Sequence, residues 1–105
     1  MYGFGFTLTQ SNRIRFTEAP VNTIAPRIPA TSSTGRSIKC DVGSWQNATS
    51  QPSFTWYKDD EVIEGERGQE LFIDRSWSGV VIYCEVGLCN VYGCGSATSN
   101  NCTVL

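Results

Sequence analysis

The longest unbroken alternation of apolar and polar positions in the chain lies within Gly79 to Asn100, GVVIYCEVGLCNVYGCGSATSN. Ile82, Cys84, Val86 and Leu88 alternate with Tyr83, Glu85 and Gly87, the period of two that a strand shows when one of its faces is buried. Asn90-Val91-Tyr92-Gly93 reads as a turn, with Gly93 able to supply a positive φ, and a second, more polar strand follows it. The run therefore predicts a β-hairpin with a cysteine near each end of its turn.

The remaining segments follow the same period. YGFGFTLT at 2–9 and RIRFT at 13–17 are short candidate strands separated by Gln10-Ser11-Asn12. Residues 18–35 hold all but one of the four prolines and a Thr-Ser-Ser-Thr-Gly run, the composition of an edge segment broken by prolines and then a loop. Ile38, Cys40 and Val42 share one side of a predicted core strand at 36–42, and a polar, turn-rich stretch at 43–52 follows. SFTWYK at 53–58 alternates again, with Phe54 and Trp56 on one face and Thr55 and Tyr57 on the other. Asp59-Asp60 predicts a turn, 61–64 a short return strand, 65–68 a polar loop, and 70–74 a strand whose Leu71 and Ile73 share a face. No stretch sustains a helical period and turns recur at short intervals, which predicts an all-β sandwich.

Composition narrows the function classes. A chain of 105 residues predicts one domain with a single core, small enough that a covalent staple helps it. Five cysteines and no histidine argue against a Cys/His zinc site and for an oxidising compartment; of a cytosolic protein and a mature extracellular segment whose signal peptide has been removed and replaced by Met1, the cysteines favour the second. A net charge of −2 without a basic block offers nothing for nucleic acid or an anionic membrane, and no window approaches a membrane span. Without histidine there is no Ser-His-Asp or Cys-His arrangement, and no phosphate loop or calcium loop occurs, so neither an enzyme nor a cofactor or metal is expected. The acidic set Asp59, Asp60, Glu61, Glu64 and Glu66 reads as a solvated hairpin turn. Asn47-Ala48-Thr49 is an N-glycosylation sequon, which makes Asn47 a candidate acceptor.

Cys40, Trp56 and Cys84 stand in the order Cys, Trp, Cys, each on the inward side of a predicted strand, and this pattern resembles the core of the immunoglobulin fold. The resemblance covers about residues 36–105, with WYKDDEVI similar to the C–C′ hairpin of I-set domains and CEV, NVYG and TVL similar to their strands F and G. It implies an immunoglobulin-like sandwich of two antiparallel sheets with about seven to eight strands, B to G spanning 36–105 and N-terminal strands spanning 1–35. It also implies a Cys40–Cys84 disulfide covered by Trp56, closing a loop of about 43 residues and contributing roughly 3 to 4 kcal/mol by the chain-entropy model. The short interval from Trp56 to Cys84 leaves room for C′ and E but hardly for C″ and a full D.

The sequence departs from I-set domains in two places. Ile82 occupies the usual position of the tyrosine-corner residue, so that corner is expected to be missing, and Asn90 falls late, so the F–G hairpin is expected to be lengthened. Both departures, with Gly79 five residues before Cys84 and the run from Asn90 to Ser99, resemble immunoglobulin-like repeats of bacterial surface and phage tail proteins. The extra cysteines on the hairpin and the long N-terminal segment are similar in general form to the ectodomains of invertebrate (hydroid) allorecognition receptors.

Cys89 and Cys94 flank the turn and can oppose each other at a Cα separation near the roughly 5.5 Å that a disulfide prefers. Cys102 is then left as a buried thiol, as a partner for something outside the segment, or as a competitor for Cys89 or Cys94; spacing does not decide the connectivity. With Trp56 and Cys84 inward, alternation places Thr55, Tyr57, Tyr83 and Glu85 on the outer face, with Tyr92 at the hairpin tip and Lys58, Asp59 and Glu61 among the aromatics. Aromatics among charges suit a protein interface, and two copies are expected to complement each other around a two-fold axis. The resemblance implies a membrane-anchored cell-surface module in homophilic adhesion or self-recognition, a possible homodimer, its partner another copy or a related ectodomain. The competing expectation is a structural or glycan-binding repeat of a bacterial or phage surface protein.

Overall fold

The computed structural model describes residues 18–105, and the candidate strands at 2–9 and 13–17 lie outside them. Ten strand segments and one 3₁₀ turn follow in the order β1 (Val21–Ile24), β2 (Thr31–Ser32), β3 (Ser37–Lys39), β4 (Ser44–Gln46), β5 (Ser53–Lys58), β6 (Glu61–Val62), β7 (Glu70–Phe72), the 3₁₀ turn (Arg75–Trp77), β8 (Val81–Asn90), β9 (Gly93–Thr98) and β10 (Cys102–Val104). The fold is all-β, in several sheets, and is compatible with a β-sandwich. The largest sheet has the order β2-β10-β8-β5-β6, with β9 also paired to β8; β3 pairs with β7 and β1 with β4.

The predicted core strand at 36–42 is shorter than expected, and a further strand follows it. Gly43, at φ 79°, separates β3 from β4, and a Cβ there would lie 2.0 Å from the Ile24 carbonyl oxygen, so only glycine fits. Polar 43–52 was expected to be turn throughout, yet Ser44–Gln46 pairs with β1, because Arg27 and Asp41 already exchange both backbone hydrogen bonds at 2.9 and 2.8 Å and bring the segments into line. Residues 99–101 interrupt β9 and β10. There the buried Ser99 hydroxyl accepts from the Cys84 amide at 3.0 Å, and Asn100 clamps Ile28, its Oδ1 accepting from the amide and its Nδ2 donating to the carbonyl, both at 2.9 Å. The side chain of Asn100 thus stands in for strand backbone beside the proline-broken segment.

The expectation of antiparallel sheets is corrected at one pair. β2 runs parallel to β10, with Thr103 opposite Thr31 and Val104 opposite Ser32. Pro26 and Pro29 lie between β1 and β2, so the N-terminal segment leaves one partner and joins another instead of turning back as a hairpin. No strand lies between β6 and β7.

Ile38, Cys40, Leu71 and Ile73 meet Phe54, Trp56, Ile82, Cys84, Val86, Cys102 and Val104 in a single apolar cluster, against which Trp45 and Trp77 pack partly buried. Trp45, expected in a loop, is in β4. Trp56 is fully buried and donates its indole N–H to the Gly68 carbonyl at 2.8 Å, so the 63–69 loop closes over the indole where a further strand would lie. Ile82 is buried and Tyr83 faces outward.

The Cys40–Cys84 crosslink is not formed in this structure. Both residues are buried thiols in the same core cluster, and their S–H groups donate to the carbonyls of Asp41 at 3.5 Å and Glu85 at 3.8 Å. The neighbouring Cys40 thiol, and then burial, push the Cys84 thiol well above the usual thiol range, while the Cys84 thiol lowers Cys40.

Candidate binding face

The outward side of β5, β6, β8 and β9 is set by register. Thr55 lies opposite Glu85 and Tyr57 opposite Tyr83 across β5 and β8, Tyr57 opposite Val62 across β5 and β6, and Gly87 opposite Ser96 across β8 and β9. Because paired residues share a face, these side chains form one surface while Phe54, Trp56, Ile82, Cys84, Val86 and Leu88 form the other.

Tyr57 and Tyr83 stack with ring centroids 4.7 Å apart and planes 10° from parallel. Each hydroxyl donates to a carboxylate: Tyr57 to Glu85 Oε1 at 3.1 Å and Tyr83 to Asp60 Oδ1 at 3.2 Å. The hydrogen bond to Glu85, its charge and some desolvation raise the Tyr57 phenol above its ordinary value. For Tyr83 desolvation comes first, followed by the bond to Asp60 and its charge. The ring stack thus joins two hydrogen-bonded tyrosine–carboxylate pairs into one unit.

The turn that carries Asp60 has only two residues between Lys58 and Glu61, with φ 48° at Asp59 and 68° at Asp60. Positive φ at both central positions is the geometry that matches the right-handed twist of a hairpin. Aspartate tolerates it better than most residues because its short side chain bonds locally. Asp59 exchanges backbone and side-chain bonds with Val81: its amide donates to the Val81 carbonyl at 2.8 Å, and its Oδ1 accepts from the Val81 amide at 3.0 Å. Asp59 is therefore a turn residue tied to β8.

Tyr57, Tyr83 and Glu85 were expected on one face and are together. Glu61 is exposed beside Lys58 at the turn. Lys58, expected among the aromatics, shares the side of Ile82, and its ammonium lies 5.0 Å over the ring of Trp77. Tyr92 is exposed in the two-residue hairpin turn but nine positions along the chain from Tyr83, about 30 Å at strand rise, so it does not join the patch. Asp60 and Val62 were not singled out for this face. The register of a two-residue turn after Lys58 was the signal that places them there.

At the other end of the face a Cys89–Cys94 disulfide spans the hairpin, as expected, with a Cα separation of 4.0 Å. The closeness follows from register. The Cys89 carbonyl accepts from the Thr49 amide and its amide donates to the Ser50 hydroxyl, so Cys89 and Cys94 form the non-hydrogen-bonded kind of pair, where Cα atoms approach most nearly. Cys102 is buried, and burial raises its thiol. Between the tyrosines and the disulfide, Ser53, Thr55, Glu85, Gly87 and Ser96 line a shallow trough of about 300 Å³. Asn47, the candidate glycan acceptor, takes φ 68° and its carbonyl accepts from Asn90 Nδ2 at 2.7 Å.

Among the described residues no cluster of His, Cys, Asp or Glu is arranged to hold a metal, and no helix is long and apolar enough to cross a membrane. No known protein family, curated protein or solved structure matches the chain.

Proposed function

We propose that the chain is an immunoglobulin-like module of an extracellular, membrane-anchored cell-surface protein, and that it recognises protein through the outer face of β5, β6, β8 and β9. Its partner is another copy or a related ectodomain, in adhesion or self-recognition. The strand order supports the fold reading: β1, β3 with β4, and β7 follow the order A-B-E, and β2, β10 with β9, β8, β5 and β6 follow A′-G-F-C-C′. The parallel β2–β10 pair fits strand A′ beside G, and the burial of Cys40, Trp56 and Cys84 fits core positions of B, C and F. The Cys89–Cys94 disulfide fits an oxidising compartment.

One observation carries the binding reading. Two tyrosines stand stacked on an outward sheet face with both hydroxyls held, which presents a rigid aromatic surface that loses little side-chain entropy on binding. Beads coated with the chain are expected to aggregate, and Tyr57→Ala or Tyr83→Ala to weaken that aggregation or the capture of a related ectodomain. Unaltered binding by both variants overturns the assignment of this face.

The competing reading, a structural or glycan-binding repeat of a bacterial or phage surface protein, is favoured by the two residues that carry its spacing. Gly79 takes φ 83° and its amide donates to the Val104 carbonyl at 2.8 Å, and Asn90 holds Glu18, Asn47 and Tyr92 through its side-chain amide, so both have structural roles without any partner. Glycan on Asn47 of the native protein decides against it.

A further inference from the structure

We infer that the Tyr57–Tyr83 stack with Glu85 is a receptor for an arginine side chain presented on an exposed loop of the protein partner. The inference rests on reading this face as a protein-binding surface and names the group the surface takes.

Charge is the first ground. Lys58 is the only basic residue in β5, β6, β8 and β9, and it turns to the opposite side, over Trp77. The strands and the turn of the outer face therefore supply Glu85 and Asp60 but no cation; Arg67, from the 63–69 loop, lies with Thr55 and Val62 at one edge, and the hydrogen-bond partners of the two carboxylates are the neutral hydroxyls of Tyr57 and Tyr83. A two-fold arrangement of this face on itself would bring carboxylate against carboxylate, which is repulsive. The complementary surface is cationic, and if the partner is another copy, its arginine comes from a different face.

The second ground is the ring chemistry. A phenol that donates to a carboxylate carries more electron density on its ring, which strengthens the attraction of that ring for a cation. Both rings are in this state, and their stacking leaves an outer face of each free of the other. A guanidinium can lie flat on a tyrosine face and turn its N–H fork onto the adjacent carboxylate, whereas an ammonium offers no plane to stack and no fork.

Shape is the third ground. Beside Glu85 the trough is open because Gly87 has no side chain: a Cβ there would come within 2.8 Å of Ser53 Oγ. The trough is lined by Ser53, Thr55 and Ser96, whose hydroxyls accept hydrogen bonds, and it leads away from the rings, giving room for the aliphatic stem of one long side chain.

The test uses the whole chain, labelled with ¹⁵N, and three peptides identical except at one position: Gly-Gly-Arg-Gly-Gly and its lysine and citrulline versions. The arginine peptide is expected to shift the amide resonances of Thr55, Tyr57, Tyr83, Glu85 and Gly87, with millimolar affinity, the lysine peptide to bind several-fold more weakly, and the uncharged citrulline peptide not to bind. Glu85→Gln is expected to weaken the arginine peptide about tenfold, the effect of losing one charge-assisted pair. Gly87→Val, which fills the trough, is expected to do the same without changing charge. Equal binding of citrulline and arginine, shifts confined to another part of the molecule, or no shifts with the arginine peptide at 20-fold excess over a millimolar dissociation constant overturns the inference. None of these outcomes touches the bead experiment: aggregation that depends on Tyr57 and Tyr83 while the arginine peptide fails to bind removes the arginine receptor and keeps the protein-binding face.

Discussion

Trp56 donates its indole N–H to the carbonyl of Gly68 at 2.8 Å, and this bond ties the innermost aromatic side chain to the loop that covers it. The indole has no solvent exposure while Gly68 is exposed, so the bond chiefly satisfies the buried indole donor. Trp56→Phe is expected to lower stability by about 1 to 3 kcal/mol, chiefly through the space the smaller ring leaves in the core, and Trp56→Ala by about 3 to 5 kcal/mol. Urea unfolding followed by circular dichroism measures both.

The buried thiols of Cys40 and Cys84 are expected to close to a disulfide under mild oxidant, since both lie in the same core cluster. After unfolding, a maleimide is expected to label three cysteines of the untreated protein and only Cys102 of the oxidised one, with Cys89–Cys94 intact in both. The oxidised form is expected to gain roughly 3 to 4 kcal/mol. Labelling of Cys40 or Cys84 after oxidation, with Cys102 protected, assigns the pair differently.

Two glycines on neighbouring strands predict opposite responses to alanine. A Cβ at Gly95 would lie 2.3 Å from the Pro20 carbonyl oxygen, which is backbone and fixed by the neighbouring strand, whereas one at Gly87 meets the movable Ser53 hydroxyl. Gly95→Ala is therefore expected to cost about 1 to 3 kcal/mol through forced backbone shifts, and Gly87→Ala to change the melting temperature little. Differential scanning calorimetry separates them.

Alkaline pH is expected to loosen the outer face. Tyr57 and Tyr83 both hold their protons more tightly in the folded state than at the ordinary value near 10. A raised folded value favours the protonated form, so its contribution to stability is complete below about pH 10 and is lost as pH rises through the raised values. Absorbance titration at 295 nm is expected to show phenolate appearing late, and Tyr57→Phe to remove one late component. Early titration of both groups would mean that the hydroxyls are not held by Glu85 and Asp60.

The alternation of apolar positions was enough to read the core, because Phe54, Trp56, Ile82, Cys84, Val86 and Leu88 are buried by strands whose period is two, and a period of two is visible in one dimension. The same parity placed Tyr57, Tyr83 and Glu85 together. Parity also fixed Lys58 on the side of Trp56, yet charge composition suggested a place among the aromatics; alternation is the stronger constraint, and the lysine follows it. Less was legible where pairing depends on side chains acting as backbone. Asn100 clamping Ile28 and Ser99 capping Cys84 set the break between β9 and β10, and neither contact is encoded by spacing, since the partners of Asn100 lie 72 residues away. The parallel β2–β10 pair was hidden for a related reason: prolines announce that a strand stops, but not which strand it joins next.

The Asp59-Asp60 turn links the local backbone to the face in a way that limits how the chain can vary. Asn-Gly adopts two successive positive φ angles with less strain, so replacing Asp60 by glycine would steady the hairpin on its own. That change would also remove the oxygen that holds the Tyr83 hydroxyl. A steadier turn and an intact aromatic surface therefore make opposing demands on one residue, and improvement of either property by substitution at Asp60 comes at the expense of the other.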